Sequence, residues 1–230
     1  RIMTKTAFVA IVGKPNVGKS SLLNKMLGQK IAIVSSKPQT TRTKIMGVLT
    51  KGETQLVFTD TPGFHKAHNK LGEKMNEAVG DTVGGVDACL FLTEPRGELN
   101  EQELQLLEMF KKQKMPVILA INKIDMINDK EELFKRIVYL TSFYDFTAVV
   151  PVSATEGDHV DELIDELDKL AFESPHFFPD DTLTDQPERV LAAEIIREKI
   201  LRLMDKEIPH GIAVAVEKMR ERDDKDKIDI

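Results

Sequence analysis

The chain is poor in the residues that would cross-link it, export it or paint it basic. Its 230 residues hold one cysteine, no tryptophan and two tyrosines. A lone thiol, Cys89, excludes an internal disulfide. Its setting in Asp87-Ala88-Cys89-Leu90-Phe91-Leu92 predicts a side chain packed in a strand, in keeping with a reducing cytoplasm. No apolar run reaches the length that a membrane-spanning helix needs. No secretory signal precedes the first strand pattern, and Arg1 at the start fits a boundary rather than a native terminus. The net charge of −6 lacks the basic excess that advertises nucleic-acid binding. Internal repeats and low-complexity tracts are absent. The histidines show no ligand spacing, and His65 and His68, three apart, read as surface polar residues. What remains is 41% hydrophobic and 30% charged residues, the balance of a soluble globular chain. The length gives room for one full α/β domain and something smaller.

The stretch that organises the rest is Gly13-Lys14-Pro15-Asn16-Val17-Gly18-Lys19-Ser20, of the form G-x-x-x-x-G-K-S. The apolar run Ala7-Phe8-Val9-Ala10-Ile11-Val12 before it suits a buried strand. Ser21-Leu22-Leu23-Asn24-Lys25-Met26-Leu27 after it has helical spacing and is closed by Gly28. Strand, glycine loop and helix in this order separate a phosphate-binding loop from a glycine-rich turn that binds nothing. Glycines let successive backbone N–H groups converge on phosphate oxygens, and the helix N-terminus adds its positive end. Lys19 would reach the β- and γ-phosphates of a nucleoside triphosphate, and the Ser20 hydroxyl would bind Mg²⁺.

Two strand patterns, 44–50 and 54–59, follow a long polar stretch and are joined by Lys51-Gly52, short enough for an antiparallel hairpin. Later strands at 88–92, 117–121 and 148–152 alternate with helical patterns at 70–83, 101–112, 130–144 and 160–171. This alternation predicts an α/β fold with a doubly covered, mostly parallel sheet. Asn100 with Glu103 forms a capping-box pattern. The polar stretch 29–43, with Ser35-Ser36-Lys37-Pro38-Gln39-Thr40-Thr41-Arg42, is long for an idle connection and reads as a functional loop.

Asp60-Thr61-Pro62-Gly63 lies directly after the strand at 54–59. An acid there can hold Mg²⁺ through water, and the Gly63 N–H can bond the γ-phosphate. An ordinary Asp-x-Pro-Gly turn is the alternative. Asn122-Lys123-Ile124-Asp125 follows the strand at 117–121. The Asp125 carboxylate can accept from N1–H and the 2-amino group of guanine, which adenine lacks, so it selects GTP over ATP. The Lys123 stem can pack along the base, and Asn122 can tie this loop to the phosphate loop. Ser153-Ala154 after the strand at 148–152 would offer a backbone N–H to the guanine carbonyl. The acidic stretch 158–168 reads as the solvated face of a helix.

These four motifs, each at a strand's C-terminal end, resemble those of the translation-factor-like GTPases over residues 7–172. The wording is similar to that of the bacterial Era family in 13–20, in Lys37-Pro38-Gln39-Thr40-Thr41-Arg42, in Asp60-Thr61-Pro62-Gly63 and in Pro116-Val117-Ile118-Leu119-Ala120-Ile121-Asn122-Lys123. The likeness continues in Glu194-Ile195-Ile196-Arg197-Glu198-Lys199. It implies a P-loop GTPase domain at 7–172 with a mostly parallel six-stranded sheet (one antiparallel strand) flanked by helices. A linker at 173–187 and the N-terminal part of a KH-type α+β RNA-binding domain at 188–230 follow. The implied activity is a GTP-hydrolysing switch in assembly of the small ribosomal subunit with its 16S rRNA. The implied setting is cytoplasmic, with peripheral association to the inner membrane.

Carried onto this chain, the catalytic residues are Lys19, Thr41 and Gly63. Ser20, Thr41 and Asp60 (through water) hold Mg²⁺, with Thr40 an adjacent competitor for Thr41. Nucleotide contacts fall on Gly13, Lys14, Pro15, Asn16, Val17, Gly18, Lys19, Ser20 and Ser21. Others come from Asp60, Thr61, Pro62, Gly63 and Phe64, from Asn122, Lys123, Ile124 and Asp125, and from Ser153, Ala154 and Thr155.

Phe64 stands where small Ras-like switches place a water-orienting glutamine, which implies slow or differently assisted hydrolysis. Arg42 reads as a charge-stabilising finger or as an exposed loop arginine. In GTPases similar to this one, an asparagine at Asn16 beside a T-T-R switch accompanies activation by K⁺; the competing reading is that Asn16 only shapes the turn. A KH domain clamps RNA backbone with a G-x-x-G loop. No glycine follows Gly211, so 188–230, with a helix at 188–205 and a strand at 212–216, is expected to bind RNA poorly. The enzyme reading thus stands beside an assembly-factor reading in which hydrolysis is only a slow reset.

Overall fold

The computed structural model describes residues 3–28, 45–60, 86–176, 178 and 180–181. In the C-terminal part it describes 192–193, 195–197, 199–200, 214–215, 220–221 and 228–229. The central strand is β1 (Lys5–Val12), continued through 13–18 into α1 (Lys19–Leu27). A hairpin of β2 (Ile45–Lys51) and β3 (Thr54–Asp60) follows. Then come β4 (Ala88–Thr93), α2 (Glu101–Gln113), β5 (Val117–Ile121), a single 3-10 turn at Ile124–Met126 and α3 (Lys130–Thr141). The order closes with β6 (Ala148–Pro151), α4 (Val160–Asp168) and the short β7 (Phe172–Glu173).

The sheet runs β2-β3-β1-β4-β5-β6, parallel except where β2 meets β3. The hairpin turn is Gly52-Glu53, one residue later than expected, because Lys51 pairs directly with Thr54 and Gly52 supplies the left-handed φ of 61°. Strands β4 and β5 are buried along their whole length, as parallel strands covered on both faces must be. One face packs Leu22, Leu23 and Met26 of α1 with Leu163, Ile164 and Leu167 of α4. The other packs Leu106, Leu107 and Phe110 of α2 with Leu140 of α3, joined by Tyr144 and Phe146 around Phe91. Cys89 lies fully buried there, and burial pushes its thiol up to about 12, so it stays protonated. The expected capping box of α2 is formed reciprocally by Asn100 and Glu103, each bond 2.8 Å.

Four expectations are corrected. The sheet has a seventh strand, since β7 pairs antiparallel with Lys5–Thr6 of β1, below the stretch Val9–Val12 that β4 occupies. The first residues of the expected linker are therefore held to the sheet: Glu173 as part of β7, and Ser174 and Phe178 by hydrogen bonds. Ser174 N–H donates to the Thr4 carbonyl, and the buried Gln55 side chain both donates to and accepts from the Phe178 backbone. Helices α3 and α4 end three residues before the spacing predicts. Tyr144 turns back so that its hydroxyl donates to the Met115 carbonyl, and Leu170 and Ala171 form the turn into β7. Finally, Val214 and Ala215 lie outside any strand. The ladder there instead pairs β8 (Arg220–Glu221) with β9 (Ile228–Asp229), where backbone groups find partners. Residues 192–193, 195–197 and 199–200 are helical, as expected for 188–205. The helix expected at 70–83 lies outside the described residues.

Candidate functional site

The strand order reverses at β1, with β3 on one side and β4 on the other. Open α/β sheets bind ligands beyond the C-terminal strand ends at such a point. The loop 13–18 leaves β1 there. Its two glycines are forced by space: a Cβ on Gly13 would stand 2.7 Å from the Leu92 carbonyl oxygen, and one on Gly18 would stand 2.2 Å from Asn122 Nδ2. Gly18 also has φ 105° and begins α1 with no side-chain cap. A helix start without a side-chain cap suits an anion. Lys19 is buried within the loop and donates to the carbonyls of Gly13 and Lys14, both at 3.1 Å. Its charge sits where phosphate oxygens would need it. The cradle fits the phosphates of a nucleotide and the Mg²⁺ that accompanies them, with Ser20 at the start of α1 in the place of its ligand.

The second loop follows β5. Asn122 is buried and holds three partners: its backbone N–H donates to the Thr93 carbonyl (2.9 Å), its Nδ2 to the Val17 carbonyl (2.9 Å), and its Oδ1 accepts from Ala154 N–H (3.0 Å). The tie from Asn122 to the phosphate loop is the one that the sequence predicts. Of the two residues expected to offer a backbone N–H to the base, Ser153 and Ala154, the latter's N–H donates to Asn122, because a buried amide oxygen needs a donor and this one is in reach. Ser153 Oγ donates to Asp125 Oδ1 at 2.8 Å and accepts from Glu156 N–H. It anchors the exposed Asp125 carboxylate, a group able to read two donors on one base edge. Lys123 adopts φ 62° and its Nζ donates to the Asn16 carbonyl at 3.0 Å. Ile124 opens the 3-10 turn and bonds Val152 O, while Thr155 lies exposed beside the loop.

Asp60 ends β3, its backbone in register with Ile11 of β1, so its place at the strand end is as expected. Thr40, Thr41, Arg42, Thr61, Pro62, Gly63, Phe64, His65 and His68 lie outside the described residues. Sequence reasoning missed Glu94, the residue after β4. Its carboxylate meets Lys14 Nζ at 3.4 Å and Lys123 Nζ at 2.6 Å. Burial works to raise this carboxyl, but the hydrogen bond and charge of Lys123, then those of Lys14, outweigh it and hold it below the usual carboxylate range. The one available signal was an acid at a strand's C-terminal end, the position Asp60 also holds.

A parallel sheet carrying this phosphate loop and an Asn-Lys-x-Asp loop tied to it defines a P-loop guanine-nucleotide-binding domain. The family profile described as 50S ribosome-binding GTPase matches residues 8–123. The chain is 47% identical to GTPase Era of Clostridioides difficile over 228 residues, covering 99% of this chain and 77% of that protein. It is 46% identical to GTPase Era of Clostridium acetobutylicum over 227 residues, covering 99% and 76%. Among solved structures it is similar to Era in complex with MgGDPNP and nucleotides 1506–1542 of 16S ribosomal RNA. The TM-score is 0.88 at 38% identity, over 96% of this chain and 74% of that one. A single-residue variant of Aquifex aeolicus Era bound to GDP.AlF4- matches with the same TM-score of 0.88, again at 38% identity, over 96% of this chain and 75% of that one. The chain belongs to the GTPase Era family. It binds guanine nucleotide and hydrolyses GTP.

Proposed function

We propose that this chain is a GTP-dependent switch that engages the 16S rRNA of the small ribosomal subunit during assembly, with hydrolysis as its reset. What carries the reading is the likeness to the Era complex with MgGDPNP and a 16S rRNA fragment, which extends over 96% of this chain. The family profile is described by the 50S subunit, but its match ends at residue 123 and so covers mainly the nucleotide side. Lys19, Thr41 and Gly63 act on the γ-phosphate; Ser20, Thr41 and, through water, Asp60 hold Mg²⁺. The metal, when bound, neutralises charge on the β- and γ-phosphates. The absence of a G-x-x-G loop in 188–230 supports weak RNA binding by this stretch alone.

The test titrates an oligonucleotide of the 16S rRNA 3′ region with the protein in GDP and in a non-hydrolysable GTP analogue. Binding favoured by the analogue supports the switch, and equal binding in both states sinks it. Asp125→Asn is the control on the base site. It replaces an acceptor by a donor, so guanine affinity falls and xanthine nucleotide is gained; the lost bonds are charge-assisted, about 1.5–3 kcal/mol each.

Two further readings belong to this proposal. Asn16 adopts a left-handed φ of 62°, which by itself is a turn role. Its side-chain oxygen is proposed also as a K⁺ ligand near the β/γ bridge, where the cation offsets developing charge in place of an arginine. Hydrolysis rates in matched KCl and NaCl decide this, and equal rates remove the cation. The proposed location is the cytoplasm with peripheral attachment to the inner membrane. No helix among the described residues is long and apolar enough to cross a membrane.

A further inference from the structure

Glu94 lies between the two loops of the nucleotide site but belongs to neither. It leaves the C-terminal end of β4, next to Thr93, whose carbonyl accepts the Asn122 N–H. On its other side Arg136, from α3, donates through Nε to the Glu94 carbonyl at 3.0 Å and through Nη1 to the Gly97 carbonyl. Arg136 is buried and its guanidinium sits 5.3 Å from the centre of the Tyr139 ring, so this support is itself held. The backbone of Glu94 is thus pinned from both directions, and its carboxylate has little freedom to leave its position.

From there it meets two cations of opposite origin. Oε2 faces Lys14 of the phosphate loop at 3.4 Å, and Oε1 accepts from Lys123 of the base loop at 2.6 Å. Lys123 in turn donates to the Asn16 carbonyl. Asn16 and Lys123 both hold left-handed φ of 62°, a conformation that costs non-glycine residues energy and persists only where the surroundings impose it. The contact chain Lys14–Glu94–Lys123–Asn16 closes on the phosphate loop, since residues 14 and 16 both lie in it. Without a carboxylate at its centre, two ammonium groups that share one partner would repel each other across the site.

We propose that Glu94 is a positioning residue for nucleotide retention, its carboxylate bracing Lys14 and Lys123 so that the phosphate loop and the base loop move as one body. It acts through these lysines. Removing it leaves the loops joined only through the bonds of Asn122 to Val17 and Lys123 to Asn16, and the bound nucleotide escapes faster whatever its phosphate number. GDP and GTP are affected by the same factor, because the brace joins base loop to phosphate loop and does not reach the γ-phosphate. The inference rests on the guanine-nucleotide reading of the site.

The experiment measures dissociation of fluorescent GDP and of a fluorescent non-hydrolysable GTP analogue from the parent, Glu94→Gln, Glu94→Asp, Lys14→Met and the Glu94→Gln/Lys14→Met pair. Glu94→Gln should release both nucleotides about tenfold faster, the size of one charge-assisted hydrogen bond. Glu94→Asp, which keeps the charge one methylene short, should lie between it and the parent. Steady-state kinetics should place the loss on KM rather than kcat. In the double variant the effect of Glu94→Gln should shrink, since one of its two partners has gone. Unchanged dissociation in Glu94→Gln, additive effects with Lys14→Met, or a change confined to the GTP analogue overturns the proposal. A parent protein that fails to retain either guanine nucleotide overturns the site reading instead, which keeps the two failures apart.

Discussion

The phosphate loop and the base loop recognise their target by opposite means. In the phosphate loop the information lies in missing atoms: Gly13 and Gly18 have no room for a Cβ, and the donors are backbone N–H groups at the head of α1. In the base loop it lies in side chains: Asn122 ties inward, Lys123 ties across, and Asp125 is presented by Ser153. A loop built on absence fails all at once, because any side chain collides. A loop built on side chains fails by degrees, one hydrogen bond at a time. The two also meet, since the atom that an alanine at Gly18 would strike is Asn122 Nδ2.

The largest effect should therefore come from Gly18→Ala. Its methyl would stand 2.2 Å from Asn122 Nδ2 on a backbone at φ 105°, so both loops must shift. Nucleotide affinity should fall by about 100-fold or more, given strain of about 1–3 kcal/mol plus the clash. Gly28→Ala sharpens the point. Gly28 also has positive φ (71°), yet a Cβ there meets nothing within 4 Å. It should cost about 1–2 kcal/mol of folding stability in urea and leave nucleotide titrations unchanged. Equal loss of affinity in both variants would mean that backbone strain, not the closed space at Gly18, governs the loop.

A graded effect is expected of Asn122→Ala. It strips the Val17 carbonyl and the Ala154 N–H of their partner in a buried place, at about 1–3 kcal/mol for each unmet group. Affinity for GDP should drop about 10- to 100-fold while the fold persists in circular dichroism. A loss as complete as that of Gly18→Ala would erase the contrast between the loops.

How far the sequence discloses these loops follows the same division. The glycine spacing is local in the chain, so the phosphate loop could be read directly; the tie from Asn122 to it, 105 residues apart, was read from the Asn-Lys-x-Asp motif rather than from local pattern. The strands around them were legible too, because burial on both faces of a parallel sheet demands unbroken apolar runs such as Val117–Ile121. What was not legible depends on pairs distant in sequence. Strand β7 is two exposed residues, Phe172 and Glu173, with no periodicity to mark them; only their partners Lys5 and Thr6 make them a strand. The end of α4 is set by the same pairing. Glu94 sits in Glu94-Pro95-Arg96-Gly97, ordinary turn chemistry in sequence, and acquires meaning only from lysines about 80 residues before it (Lys14) and 29 residues after it (Lys123). The bond from Ala154 N–H to Asn122 was not legible either, because a backbone donor carries no sequence signal of its acceptor.

The smallest expected effect is one of pH, and it tests whether the bridge between the loops is ionic. Glu94 is held below the usual carboxylate range, against the opposing pull of burial, by Lys123 and then Lys14. Glu103, on α2, and Arg136, on α3, also lie within electrostatic reach of this group; Glu103 is itself raised, chiefly by burial, while its capping bond to Asn100 opposes that rise. A carboxyl with a lowered value in the folded protein contributes fully above its ordinary value of 4.5 and is lost only as pH falls through the lower one. The ratio of nucleotide dissociation rates between Glu94→Gln and the parent should therefore be flat from pH 8 down to about pH 5. It should converge toward unity only in more acid solution, where the parent's carboxylate takes up its proton and comes to match the amide. Taking the ratio removes titrations common to both proteins. If the ratio instead collapses between pH 7 and pH 5, the carboxylate is not held charged by its two lysines, and the ties between the phosphate and base loops reduce to those of Asn122 to Val17 and Lys123 to Asn16.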